Sequence, residues 1–155
     1  MPDFCAIDFG TSNSAITLPG RDGVELVELE AGQCSMPTAV FYAVEGLAGH
    51  EEPQRHYGRA AVAAYVEGSD GRLMRSMKSI LGSTLAEQST EVGAGRSVRY
   101  LEVVSAYLRR LKALAEAQAG RPLTRAVLGR PVYFVDDDAA RDASAQAMLE
   151  RAARE

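Results

Sequence analysis

Apolar and polar residues alternate along the first third of the chain, and this period of two predicts strands. Phe4 to Asp8 is the first and Ser14 to Leu18 the second. Val24 to Leu29 resumes the alternation after the turn cluster Pro19-Gly20-Arg21-Asp22-Gly23. Pro37 to Val44 is a fourth strand, opening on a proline where a strand tolerates one. Residues 45 to 56 are polar and read as a loop, and Arg59 to Val66 reads as a short helix. Leu73 to Leu81 places Met74, Met77, Ile80 and Leu81 at helical spacing, whereas Gly82 to Ser97 lacks periodicity and is expected to include loop. The clearest helix is Val98 to Ala119, in which Leu101, Val104, Leu108, Leu111 and Ala115 recur at intervals of three and four and share one face. Gly120 and Pro122 end it. Arg125 to Gly129 reads as a further strand. The acidic run Asp136 to Asp138 suits the start of a second, alanine-rich helix from Ala139 to the end.

The order is thus strands, an insert, a long helix, a strand and a helix. A helix that crosses to a further strand implies a parallel addition to the initial meander, which makes a mixed α/β sheet. The 155 residues suit one domain with a real core. A net charge of −4 argues against nucleic acid as the main partner, because that partner favours a basic face. No apolar run reaches membrane-spanning length, and the N-terminus has no basic segment followed by an apolar stretch. A cytoplasmic protein without a membrane partner is expected. Cys5 and Cys34 have no metal-ligand spacing. Cys5 reads as a small core residue, and a disulfide between the two stays open although nothing suggests a secreted scaffold.

Candidate chemistry concentrates where the first strand ends, at Asp8-Phe9-Gly10-Thr11-Ser12-Asn13. A hairpin of this composition can aim several backbone N–H groups and two hydroxyls at one point, an arrangement that binds phosphate. The adjacent carboxylate suits hydrated magnesium, which keeps several waters and needs few protein ligands. The alternative is an ordinary turn, since Asp and Gly are favoured there anyway. Asp8-Phe9-Gly10 is not the kinase motif, because no Gly-rich loop, lysine strand or catalytic loop fits upstream, and no P-loop sequence occurs. His50 and His56 lie in a polar stretch and read as exposed.

The segments Asp8 to Ser14, Pro37 to Phe41, Tyr57 to Ala61, Lys78 to Gly82 and Ala126 to Phe134 together resemble the seventy-kilodalton heat-shock protein chaperones, members of the superfamily of actin and the sugar kinases. Asp8 to Ser14 resembles their first phosphate loop, and Pro37-Thr38-Ala39-Val40-Phe41 the strand after the first glycine-rich turn. Tyr57-Gly58-Arg59-Ala60-Ala61 is similar to their Ile-Gly-Asp-Ala-Ala segment, and Lys78-Ser79-Ile80-Leu81-Gly82 to Lys-Arg-Leu-Ile-Gly. Ala126 to Phe134 resembles Ala-Val-Val-Thr-Val-Pro-Ala-Tyr-Phe, with a Gly-Arg-Pro form more like the divergent YegD-like branch. The five segments keep the family's order and cover nearly the whole chain.

The resemblance implies an actin-like, ribonuclease-H-like ATPase lobe that binds ATP or ADP with Mg²⁺. Asp8 would stand near the magnesium through water, and Gly10, Thr11, Ser12 and Asn13 would cradle the phosphates. Lys78 aligns with the lysine that faces the γ-phosphate and the attacking water. Pro131 aligns with a proline that relays nucleotide state between domains, and Arg141 resembles the arginine that joins it, although two extra residues separate them here. Without the resemblance, Lys78 reads as a solvated surface residue and Pro131 as a strand end.

The resemblance further implies that residues 1–155 form an N-terminal lobe fragment, with an insert subdomain within about 30–97. The family's next strand, second phosphate loop, adenosine pocket, opposite lobe and peptide-binding domain all come later. The expectation is an inactive fragment whose open edge near Val127 favours self-association. Its parent would couple ATP hydrolysis to binding of unfolded client proteins, with co-chaperones. The alternatives are a lobe of a small-molecule kinase of the same superfamily and a non-catalytic interaction module.

Overall fold

The N-terminal alternation folds as a hairpin of β1 (Phe4–Phe9) and β2 (Asn13–Gly20), paired antiparallel. The computed structural model describes residues 3–155. Beyond the hairpin, β3 (Gly23–Leu26) continues the meander, and β4 (Met36–Pro37) pairs with the start of β2. On the other side of β1 lies β10 (Arg125–Gly129), and the sheet order is β10-β1-β2-β3. The pairing of β10 with β1 is parallel, as the helical crossover requires. That crossover is α2 (Tyr100–Ala119), which packs on the sheet and against α3 (Ala139–Arg154).

The face predicted for the long helix is the buried one: Leu101, Val104, Leu108, Leu111 and Ala115 are all inaccessible. They meet Cys5, Ile7 and Phe9 of β1 and Ile16 and Leu18 of β2 in a single core. Gly120 ends α2 in the left-handed conformation, with φ of 66°. Asp138 caps α3, its carboxylate accepting the Arg141 N–H at 3.0 Å.

Between β4 and α2 the chain builds a smaller layer. A three-stranded sheet runs β6 (Gln54–Tyr57), β5 (Ala39–Ala43), β7 (Gly71–Arg75), with α1 (Gly58–Val66) packed on it. A hairpin of β8 (Ser89–Gly93) and β9 (Arg96–Arg99) follows.

Several expectations are corrected here. Leu73 to Leu81 is not a helix: its first part is β7 and only Met77–Ile80 forms a single 3₁₀ turn, because Ser76 takes a left-handed φ of 56° between them. Gly82 to Ser97 includes loop as expected, and adds to it a 3₁₀ turn at Thr84–Glu87 and most of the β8–β9 hairpin. The fourth strand is two strands that serve different sheets, divided at Thr38, and the loop ending at residue 56 gives way to β6 at Gln54. The third strand stops at Leu26, and α2 starts at Tyr100 after β9 instead of at Val98.

Candidate nucleotide-phosphate site

Strand pleating puts alternate side chains of β1 on opposite faces. Cys5, Ile7 and Phe9 are buried, and Asp8 is exposed at the strand's C-terminal end. Asp8 lies opposite Ala15 of β2 and Gly129 of β10. The C-terminal ends of the two parallel strands, the Gly10–Asn13 turn and the loop after β10 therefore share one end of the sheet. Open α/β sheets receive their ligands outside such strand ends.

The turn is tight. A Cβ at Gly10 would stand 2.0 Å from the Asn13 carbonyl oxygen, so only glycine fits. Thr11, Ser12 and Asn13 are exposed, so their side chains stand at the open tip of the turn.

Behind the turn lies a buried polar brace. The Thr38 N–H donates to the Ser12 carbonyl at 2.9 Å, and the buried hydroxyls of Ser14 and Thr38 lie 2.8 Å apart. Tyr107 of α2, fully buried beside Phe9, donates its O–H to the carbonyls of Met36 and Pro37 at 3.1 and 3.0 Å. Burial pushes the Tyr107 phenol up to about 12, partly offset by the nearby hydroxyls of Ser14 and Thr38. Nothing local in the sequence marks the role of Tyr107, because its hydrogen bond to Met36 spans 71 residues.

Lys78 sits half-buried in the 3₁₀ turn, with its ammonium 5.9 Å from the centroid of the Phe134 ring. The segment is docked on α3 at Gly82, whose φ is +76° and whose Cβ would lie 2.7 Å from the Arg141 carbonyl oxygen. Pro131 follows β10 in the loop that holds Phe134. The guanidinium that engages this loop belongs to Arg130. It donates to the carbonyls of Pro131 and Val132 at 2.9 and 3.0 Å, to Asp142 at 2.8 Å and to Gln146 at 2.5 Å. Its carbon also stands 5.0 Å from the Phe134 ring centroid. Asp142 in turn accepts the Phe134 N–H at 2.5 Å. The hydrogen bond from Arg130 holds the Asp142 carboxyl below the usual carboxylate range. Arg141 is exposed at the start of α3, where its backbone N–H joins the cap.

The structure thus gathers Asp8, the Gly10–Asn13 turn and the Pro131 loop at one sheet end, and ties Lys78 to that loop through Phe134. Arg130 and Tyr107 are the members that sequence reasoning missed. Arg130 stands inside the quoted Gly-Arg-Pro segment, which was the available signal. Among the described residues, no group of three or more His, Cys, Asp or Glu side chains forms a metal cage, and no helix is long and apolar enough to cross a membrane.

Comparison with known proteins gives a consistent picture. The family model described as Hsp70 protein matches residues 4–152. A chaperone protein HscA homolog of Aromatoleum aromaticum is 33% identical over 158 residues, covering 91% of this chain and 24% of that protein. A chaperone protein HscA homolog of Methylobacillus flagellatus is 32% identical over 155 residues, with the same coverage of 91% and 24%. The chain spans about a quarter of the length of the curated relatives it matches.

Proposed function

Because the chain belongs to the Hsp70 family, we propose that it supplies the first phosphate-binding side of a chaperone ATPase domain. The observation that carries this reading is the Gly10–Asn13 turn, which is closed too tightly for any Cβ and braced from behind by Thr38, Ser14 and Tyr107. In the reading, the backbone of Gly10, Thr11, Ser12 and Asn13 cradles the phosphates of ATP or ADP. An exposed carboxylate beside hydroxyls and phosphate fits Mg²⁺, so Asp8 holds the ion through water. Lys78 supplies a compact positive charge to the terminal phosphate, and Pro131 with Arg141 carries the nucleotide state onward. Phosphoryl transfer depends on positioning and charge stabilisation, and these are the two contributions assigned to the turn and to Lys78.

In the longer protein this lobe would serve the binding of unfolded clients with co-chaperones, in the cytoplasm. The likeness to HscA homologs supports this over a sugar kinase or a non-catalytic module. The Gly129-Arg130-Pro131 sequence supports placement in the YegD-like branch. Titration of the chain with magnesium and ATP, read by amide NMR, tests the site. The Gly10–Asn13 signals should move with a Kd on the order of 1 mM, as befits one side of a cleft. Asp8→Ala and Thr11→Ala should abolish the response, and unmoved signals in the unmutated chain would sink the reading.

The same lobe offers an edge for self-association. β10 is the outermost strand, Val127 on it is 61% exposed, and a groove of about 950 Å³ lined by Cys5, Ile7, Leu108 and Leu123 runs beside it. A bare strand edge pairs readily with another chain. The chain is expected to sediment with a weight-average mass that rises with concentration, and Val127→Lys to return it to monomer. A monomer at every concentration would rule this out.

A further inference from the structure

Lys78 stands on a 3₁₀ turn and Arg130 after β10, yet both meet the ring of Phe134. A lysine side chain has four rotatable carbons and gains little from one weak contact, so its position depends on how firmly that contact is held. The residue that carries the ring is tied down at its main chain and at its face. The Phe134 backbone N–H donates to Asp142, and Asp142 accepts from Arg130, which also donates to the carbonyls of Pro131 and Val132 and lays its guanidinium 5.0 Å from the ring centroid. Side-chain exposure of this ion pair is 29% for Arg130 and 16% for Asp142, and the several hydrogen bonds of Arg130 fix its geometry as a lone surface pair would not. We infer that the Arg130–Asp142 pair is a positioning device for Lys78: it fixes Phe134 as the platform on which the ammonium rests.

This inference rests on the reading of Lys78 as a phosphate-facing group, but its geometry is testable without nucleotide. The chain has two lysines, Lys78 and Lys112, and Lys112 is ion-paired to Glu116 on α2. Reductive methylation with ¹³C-formaldehyde keeps the lysine charge and gives each lysine its own NMR signal, assigned with Lys78→Arg. The ring should shield the Lys78 methyl groups. Phe134→Leu should move that signal downfield and Phe134→Tyr should leave it in place. Arg130→Gln should move it in the same direction as Phe134→Leu, with the Lys112 signal unchanged. If Arg130→Gln disturbs both signals, Asp142→Asn decides, because it keeps the side-chain shape while removing the charge. A Lys78 signal that stays fixed in Arg130→Gln, or that ignores Phe134→Leu, would overturn the inference. So would movement of both lysine signals in both pair variants, since the pair would then hold the fold and not Lys78. A normal shielding pattern with no response to magnesium and ATP would count against the nucleotide reading while leaving this inference standing.

Discussion

Gly10→Ala should abolish the response of the turn to magnesium and ATP while leaving the rest of the chain folded. The new methyl carbon would lie 2.0 Å from the Asn13 carbonyl oxygen and 3.2 Å from its carbon, and both belong to the backbone. No rotamer change relieves such a clash, so the turn itself must open. Forced overpacking of this kind costs about 1–3 kcal/mol of stability. The functional loss is expected to exceed the structural one, because phosphate binding needs the N–H groups of successive residues to converge and opening spreads them apart. Urea unfolding with the NMR titration checks both halves. A variant with full stability and an unchanged titration would show that the turn is not closed in the way described.

The second large effect is expected at Tyr107. Tyr107→Ala removes a fully buried ring from between Phe9 and the Pro37 segment. Truncation of a large aromatic residue in a core costs about 3–5 kcal/mol. Tyr107→Phe keeps the ring and takes away only the O–H, so the carbonyls of Met36 and Pro37 lose their donor, at about 1–3 kcal/mol. The two variants separate packing from hydrogen bonding. The phenol also has a signature in pH. Its pKa is raised to about 12 in the folded chain, so its stabilisation is fully present below about pH 10, the unfolded value, and is lost as pH rises toward 12. Alkaline unfolding curves should show this loss in the unmutated chain and a smaller loss in Tyr107→Phe. Identical alkaline profiles would contradict the burial of a neutral phenol.

Much of the main sheet and both packed helices are legible in the sequence because local and global preferences agree there. The buried face of α2 is the face that the spacing of Leu101, Val104, Leu108 and Leu111 announces. The Asp138 cap and the turn after Asp8 are equally local signals, and the parallel entry of β10 follows from the helix that precedes it. The insert is where the pattern misleads. Met74, Met77 and Leu81 are all buried and are spaced as in a helix, but Met74 gets there from a strand and the other two from around a single 3₁₀ turn. Burial alone does not distinguish the two routes when the run is short. The β8–β9 hairpin carried a readable cue, Gly93-Ala94-Gly95, in which all three residues take positive φ. The brace behind the site is a different matter. The Ser14–Thr38 and Tyr107–Pro37 contacts join residues 24 and 70 positions apart, and no period or motif encodes them.

The parallel pairing of β1 with β10 has a consequence for the order in which the chain folds. The β1–β2 hairpin closes over a few residues, so the Gly10–Asn13 turn can form while the rest of the chain is still disordered. Phe4 finds its partner only at Arg125, across α1, two small sheets and the whole of α2. The entropy of closing such a loop grows only as the logarithm of its length, but contacts this distant slow folding and come late. During synthesis, β1 must therefore wait with one edge unpaired until Gly129 has left the ribosome. The two halves of the site are for that reason kinetically unequal: the turn is an early local structure, and the Arg130–Phe134 loop joins it only when β10 is laid down.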